Sequence, residues 1–234
     1  MENLMVPLFN NNVHIWKIEI DKISEDIYKY SELLTPDELN RANKYRISNK
    51  KKAYITTRIT LKILLKYYLD NDSYSITLYK NNYGKIYIKG SNLYFNISHS
   101  TDMSIITFSR NNEIGIDLEN MNCDSNIIDI STRYFTKRER LWIKNLALEK
   151  QKEAFIYCWV RKEAYIKALG LGLSIPLDSF HVIPQNTKEI PIDNFQIKEW
   201  FLYPLNISTQ YLGAMCIQSP NVTMSYFDAY NLYK

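Results

Sequence analysis

Residues 114–120 read IGIDLEN. Two carboxylates, Asp117 and Glu119, stand one residue apart in an otherwise apolar run. In a strand, alternate side chains share a face, so both acids project together while Ile116 and Leu118 turn toward a core. Like charges held side by side repel unless a positive group stands between them. The stretch therefore predicts a strand that is apolar on one face and calls for a cation on the other.

The flanking residues set its context. Residues 103–120, MSIITFSRNNEIGIDLEN, read as a hairpin with RNNE at its tip, which puts both acids on the second strand. Upstream, VHIWKIEI at 13–20 alternates as a strand does. In LLTPDELNRANKY, Thr35 is an N-cap, Pro36 a first-turn residue and Glu38 the partner that closes a capping box. A helical pattern runs from about Ala53 to Leu69, then two strand-like runs surround the turn signal NNYG, and LYFNISHS follows. Downstream, FTKRERLWIKNL opens a helix with Thr136 as cap and Glu139 closing a second capping box. The longer helix EKQKEAFIYCWVRKEAYIKAL comes next, and GLGLSIPLDSFHV turns the chain into strands near 195–200, 209–218 and 222–227.

Each half thus runs from helix to strands, and the fragment NIS occurs at 96–98 and again at 206–208. The order predicts an internal duplication, with residues 1–105 forming one half and 106–234 the other. No Gly-, Pro- or Ser-rich linker parts them, so the halves are expected to pack closely around a cleft.

The bulk properties narrow the class. The chain has 234 residues, 46% hydrophobic and 23% charged, the balance of a globular protein. No run approaches the roughly 20 apolar residues of a membrane span. The start, MENLMVPLFNNN, lacks the basic and apolar parts of a signal peptide, so a cytoplasmic location is expected. Cys123, Cys158 and Cys216 are scattered and odd in number, which speaks against a disulfide framework or a cysteine zinc site. A net charge of +4 falls short of a dedicated nucleic-acid binder and suits an anionic small molecule or an acidic protein partner.

A second chemical cluster lies in WVRKEAYIK, 159–167. Trp159, Glu163 and Lys167 share one helix face, and Lys162 flanks it, turned by about 100°. A strand supplying two carboxylates and a helix supplying a third beside lysines suits Mg²⁺, a hard cation that takes oxygen ligands and shares its shell with substrate phosphates. The lysines would hold those phosphates as point charges. In FNISHS, His99 and the hydroxyls of Ser98 and Ser100 add donors for a phosphate, and Lys85 follows Gly84 in YGKIYI.

FNISHS, GIDLEN, FTKRE and WVRKEAYIKALGLGLSIPLDSF, in that order, resemble the 4'-phosphopantetheinyl transferases of the broad-specificity Sfp type. The resemblance covers residues 35–230, and the D-x-E strand combined with the W-x-x-K-E-A-x-x-K helix is its specific part. It implies an α+β fold of two pseudo-two-fold related halves, each a small, mainly antiparallel sheet packed on helices, with coenzyme A between them. It implies that a carrier-protein serine attacks the β-phosphate of coenzyme A, that phosphopantetheine is transferred, and that 3',5'-ADP leaves. The carriers implied are acidic peptidyl or acyl carrier domains of nonribosomal peptide or polyketide synthesis.

By the same resemblance, Asp117, Glu119 and Glu163 match a Mg²⁺ site, and Glu163 also matches a general base. Lys167 matches a pyrophosphate-binding lysine and proton donor, and Lys162 a basic neighbour of those phosphates. Ser98, His99 and Arg41 match positions at the nucleotide 3'-phosphate. Lys85 matches a basic residue beside the adenine, and Glu139 an acid near the site. The pattern departs at Ile86, where the family carries a proline, and at Leu171 and Glu38, where it often carries a basic residue. These departures predict a less basic coenzyme A pocket.

Residues 121–150 are expected to form the carrier-docking surface, through Ile127, Ile128, Leu141, Trp142, Ile143 and nearby cations. A chain that already holds both halves predicts a monomer. Two other readings compete: another Mg²⁺-dependent phosphoryl enzyme, and a catalytically silent binding module. The NISHS segment and the Trp-to-Lys helix speak against the first, and three gathered carboxylates against the second, because unpaired buried charge is costly.

Overall fold

A computed structural model of the chain describes residues 6–23, 27–69, 76–122, 127–184 and 194–234. The first strand, β1 (Asn12–Glu19), alternates as its sequence does: Val13 and Ile15 face one way, Trp16 and Ile18 the other, all of them buried. The short turn of helix α1 (Ile20–Ile23) follows it. Helices α2 (Pro36–Asn43) and α3 (Ser48–Leu69) come next, α3 starting a turn earlier than its apolar pattern does. A small hairpin, β2 (Leu78–Lys80) and β3 (Ile86–Ile88), leads to β4 (Leu93–Ser100) and β5 (Met103–Arg110). The second part opens with β6 (Ile114–Asn120) and three helices, α4 (Ile127–Tyr134), α5 (Lys137–Asn145) and α6 (Leu148–Leu169). It ends with β7 (Phe195–Ile197), β8 (Trp200–Ser208), β9 (Tyr211–Ile217) and β10 (Thr223–Asp228).

Two four-stranded sheets result, in the orders β10-β1-β5-β4 and β6-β9-β8-β7. Every pairing in them is antiparallel except that of β1 with β10. The expected α+β class, small antiparallel sheets packed on helices, is what forms. Alternation divides each sheet between two cores. Trp16, Ile18, Ile106 and Phe108 pack with α3, whereas Val13, Ile15 and Ile105 join Ile114, Ile116, Met215 and Ile217 of the other sheet. The apolar face of IGIDLEN is therefore spent on joining the sheets, and its acidic face is left for α6.

The order of elements repeats: strand, paired helices, then a hairpin whose second strand inserts between the other two. β5 lies between β1 and β4, and β9 between β6 and β8. NIS falls on β4 and on β8, the matching strands. The repeat extends to chemistry. Thr35 and Glu38 form a capping box on α2, as Thr136 and Glu139 do on α5. Each glutamate then reaches a cation on the 22-residue helix that follows. Glu38 pairs with Arg58 at 2.5 Å and Lys62 at 2.8 Å, and Glu139 with Lys162 at 2.9 Å.

Three sequence expectations change. Residues 103–120 are not a hairpin, because β5 pairs with β1 and β4 while β6 pairs with β9. RNNE instead carries the chain from one sheet to the other. A boundary between 105 and 106 would cut β5; the sheets part at 111–113, and β10 returns to the first sheet. Helix α4 has no counterpart in the sequence reading.

Glu38 and Glu139 both anchor helix pairs, but they differ in exposure. Burial pushes the Glu38 carboxyl up, and bonds from Lys62, the Thr35 backbone and Arg58 outweigh it, bringing it from 4.5 down to about 2. A depressed carboxyl stabilises the fold above its unfolded value and loses that contribution as pH falls toward the folded one. The stability advantage of the wild type over Glu38→Gln should hold above pH 4.5 and shrink as pH falls toward 2, read by urea denaturation at several pH values. Glu139 and Lys162 have fully buried side chains. Glu139→Ala strands the Lys162 charge and should cost about 3–5 kcal/mol at neutral pH, measured the same way.

Candidate active site

Gly115, Asp117 and Glu119 share the face of β6 that α6 covers. A Cβ at position 115 would lie 2.2 Å from the Ala164 carbonyl oxygen and 2.2 Å from the Ala168 nitrogen. Helix α6 thus rests on bare strand backbone, which only glycine permits. That contact sets the height of Lys167 above Asp117. The Lys167 ammonium donates to Asp117 Oδ1 at 2.7 Å, and the Ser98 hydroxyl donates to the same oxygen at 2.8 Å. The positive partner that IGIDLEN calls for is therefore supplied by the chain itself.

Strand β4 reaches this centre through alternate polar residues. Asn96 Oδ1 accepts from the Ile116 backbone at 3.0 Å, and the Ser100 hydroxyl donates to Glu119 Oε1 at 3.0 Å while accepting from the Asn120 backbone at 3.1 Å. With Ser98 these form a side-chain seam between strands of different sheets, where no backbone ladder runs. Glu163 stands on α6 one turn before Lys167. Burial raises the Glu163 carboxyl, the Asp117 charge adds to this, and Lys167 opposes it. Burial also raises Glu119; the Ser100 bond opposes it and the Asp117 charge adds to it. The electrostatic coupling puts three carboxylates and one lysine in a common field. Among the described residues, no three His, Cys, Asp or Glu side chains are gathered as a ready group of metal ligands.

One cavity opens beside this centre, and a second adjoins the first. One, of about 360 Å³, is lined by Glu163 and Lys167 together with Lys85, Phe95 and Leu173. The other, of about 700 Å³, holds Arg41, Lys50, Arg58 and His99. They share Ile86 and Ile97 in their linings, so the cavity beside Glu163 and Lys167 adjoins one with a basic end. At that end Arg41 lies 5.4 Å from the centre of the Tyr54 ring. Burial lowers the His99 imidazole, and the Lys167 charge adds to this. His99 faces the cavity, while its neighbour Ser98 is buried against Asp117. Adjacent residues of one strand point to opposite sides.

Several residues expected at the site stand elsewhere. Lys162 is fully buried, paired with Glu139 and donating to the carbonyls of Leu177 at 2.7 Å and Phe180 at 2.6 Å. It ties α6 to α5 and cannot serve phosphates in the cleft. Glu139 is likewise internal, accepting from Thr136 and Val182 backbone nitrogens. Lys85 lines the cleft, but its ammonium is held by Glu113 and the Ala168 carbonyl. In the expected docking segment Leu141 is exposed, whereas Trp142 and Ile143 are buried in the core. The side chains of Ile127 and Ile128, and Cys123, lie outside the described residues; Cys158 and Cys216 are buried free thiols. Sequence reading passed over Asn96 and Gly115. The signals were there: N-x-S-x-S is a polar face of period two, and a glycine inside a strand marks close approach.

The residues that carry this centre on β6 and α6 fall within 113–216, the segment that matches the model of the 4'-phosphopantetheinyl transferase superfamily. Among curated proteins, the 4'-phosphopantetheinyl transferase HetI of Nostoc sp. (strain PCC 7120) is 29% identical over 173 residues, 72% of this chain and 73% of that protein. The 4'-phosphopantetheinyl transferase Sfp of Bacillus subtilis (strain 168) is 26% identical over 170 residues, 72% of this chain and 75% of its own. Over these stretches the chain is similar to the 4'-phosphopantetheinyl transferases. The 4'-phosphopantetheinyl transferase gsp of Aneurinibacillus migulanus is 31% identical over 150 residues, 64% of this chain and 61% of that protein's length. The matched segment includes Asp117, Glu119, Glu163 and Lys167, while Arg41, Lys85, Ser98 and His99 precede it.

The α6–β6 contact yields a direct check on this arrangement. Gly115→Ala places a methyl group against helix backbone that no rotamer change can relieve. It should cost about 3 kcal/mol, at the upper end for overpacking, and be read as a lower denaturation midpoint.

Proposed function

We propose that this protein transfers 4'-phosphopantetheine from coenzyme A to a serine of an apo carrier protein, releasing 3',5'-ADP. The observation that carries the reading is the cleft itself. Its basic end gathers Arg41, Lys50 and His99, and its other end holds Lys167 and Glu163 above Asp117. A nucleotide with a 3'-phosphate and a pyrophosphate presents anionic groups at two separated points. The cleft supplies cations at both.

The roles follow from the contacts. Arg41 and His99 would hold the 3'-phosphate, and the Tyr54 ring under Arg41 keeps that guanidinium in place. Lys167 would hold the pyrophosphate, exchanging the Asp117 carboxylate for a phosphate oxygen. Glu163 would take the proton of the incoming serine. A carboxylate raised by burial is a better base than an exposed one. The serine oxygen bonds to the β-phosphorus, the bond from that phosphorus to the bridging oxygen breaks, and the leaving oxygen stays with 3',5'-ADP. Lys167 stands where charge accumulates on that oxygen, and preorganised charge of this kind accounts for much of phosphoryl-transfer catalysis.

The donor chemistry fits Mg²⁺. Asp117, Glu119 and Glu163 offer only hard oxygen atoms, and two of them are raised by burial and by the neighbouring Asp117 charge, both of which a divalent cation would offset. When bound, Mg²⁺ would neutralise pyrophosphate charge. Once Lys167 turns to phosphate, Asp117 requires such a counter-charge.

The carrier would be an acidic peptidyl or acyl carrier domain of nonribosomal peptide or polyketide synthesis, drawn by the net charge of +4. No helix among the described residues is long and apolar enough to cross a membrane. One chain supplies both sides of the cleft, which supports a monomer.

Intact-mass spectrometry of an apo peptidyl carrier protein, incubated with this protein, coenzyme A and Mg²⁺, should show a gain of one phosphopantetheine that EDTA abolishes. Asp117→Ala should lower that rate at least a hundredfold, about 2.7 kcal/mol or more of transition-state stabilisation, while circular dichroism stays native. Near-normal turnover of Asp117→Ala would remove Asp117 from the centre.

A further inference from the structure

Lys85 sits at the tip of the β2–β3 hairpin, and its surroundings are not those of a phosphate ligand. Its side chain is 6% exposed. The ammonium pairs with Glu113 Oε2 at 2.7 Å and donates to the Ala168 carbonyl at 2.5 Å. Tyr87, on β3, donates to the same glutamate oxygen at 3.1 Å. Asn81, at the other side of the turn, donates to the Gly170 carbonyl at 2.6 Å, and its Oδ1 accepts from the Lys85 backbone at 3.0 Å. Gly170 closes α6 with φ 67, and a Cβ there would meet Lys85 Cδ at 2.7 Å. The hairpin is thus fitted to the helix end, and two of its side chains cap carbonyls that a helix C-terminus leaves unpaired.

Both elements of the reaction centre end at this clamp. Ala168 follows Lys167 directly, and Glu113 precedes β6, four residues before Asp117. One ammonium therefore grips the helix that carries Lys167 and Glu163 and the strand that carries Asp117 and Glu119. We propose that Lys85, with Glu113 and Asn81, is a positioning device that sets α6 against β6, and that it does not bind the nucleotide. This rests on the transferase reading above and goes beyond it, because it gives the lysine of the YGK turn a role through the protein.

Two variants separate the roles: Lys85→Met removes the ammonium, and Glu113→Gln weakens its grip from a residue that lines neither cavity. Steady-state transfer would be measured with coenzyme A varied, and backbone hydrogen exchange of residues 163–170 followed by mass spectrometry in the same proteins. Both variants should lower kcat about tenfold and leave KM for coenzyme A within twofold. The double variant should be no worse than either single one, and exchange at the end of α6 should rise at least tenfold. A tenfold rise in KM with kcat kept, in Lys85→Met alone, would put the ammonium on the nucleotide and overturn the proposal. A fall in melting temperature with both kinetic parameters unchanged would make the clamp merely structural and overturn it equally. Unchanged exchange would refute the clamp whatever the activity. A wild type that transfers nothing, with exchange raised in both variants, would instead remove the transferase reading and leave the α6–β6 clamp standing.

Discussion

One carboxylate oxygen is the point on which this structure turns. Asp117 Oδ1 receives a hydroxyl from β4 and an ammonium from α6, and it can do so only because α6 lies on the bare backbone of Gly115. Three elements, drawn from both sheets and the longest helix of the second part, are registered on that atom. Move α6 outward by a methyl group and Lys167 leaves Asp117; slide β4 and the seam of Asn96, Ser98 and Ser100 opens. The fold is stabilised by its three apolar cores, but the proposed reaction centre is placed by this polar junction.

The two lysines of the long helix show how one sequence motif divides its labour. Lys162 and Lys167 lie five residues apart and so point about 140° from each other around the helix. Lys167 faces the cleft. Lys162 faces the opposite side, among aromatic rings and carbonyls, where burial lowers its ammonium and Glu139 opposes that fall. The duplicated architecture explains the choice. Glu38 on α2 meets Arg58 and Lys62 of α3 just as Glu139 on α5 meets Lys162 of α6. A capping glutamate tied to the next helix is the repeated device. In the second half the same helix has in addition turned a lysine and a glutamate toward β6.

This division also marks what could be read in the residues. The capping boxes, the strand period of IGIDLEN and the termination at Gly170 depend on local chemistry, and they stand as expected. The paired acids were legible as a site because two like charges on one strand need a partner. The identity of that partner was not, since it comes from a helix 50 residues away. Glu139 looked like a site residue through the resemblance alone, and Lys162 because α6 is buried on most of its circumference, which leaves no polar face to tell inside from cleft. The hairpin expected over 103–120 failed for a related reason. Both strands have the right period, but each finds a better partner in another sheet, and RNNE only has to bridge them.

Asp117, Glu119 and Glu163 and the ammonium of Lys167 are proposed to form one reaction centre whose charges rearrange when substrate binds. A crystal of the protein grown with coenzyme A and Mn²⁺, with the anomalous signal of manganese mapped, tests this most directly. A single strong peak bonded by Asp117 and Glu119 is expected, with the Lys167 ammonium moved onto the pyrophosphate. A peak remote from these carboxylates, or a nucleotide bound while Lys167 still holds Asp117, would contradict it.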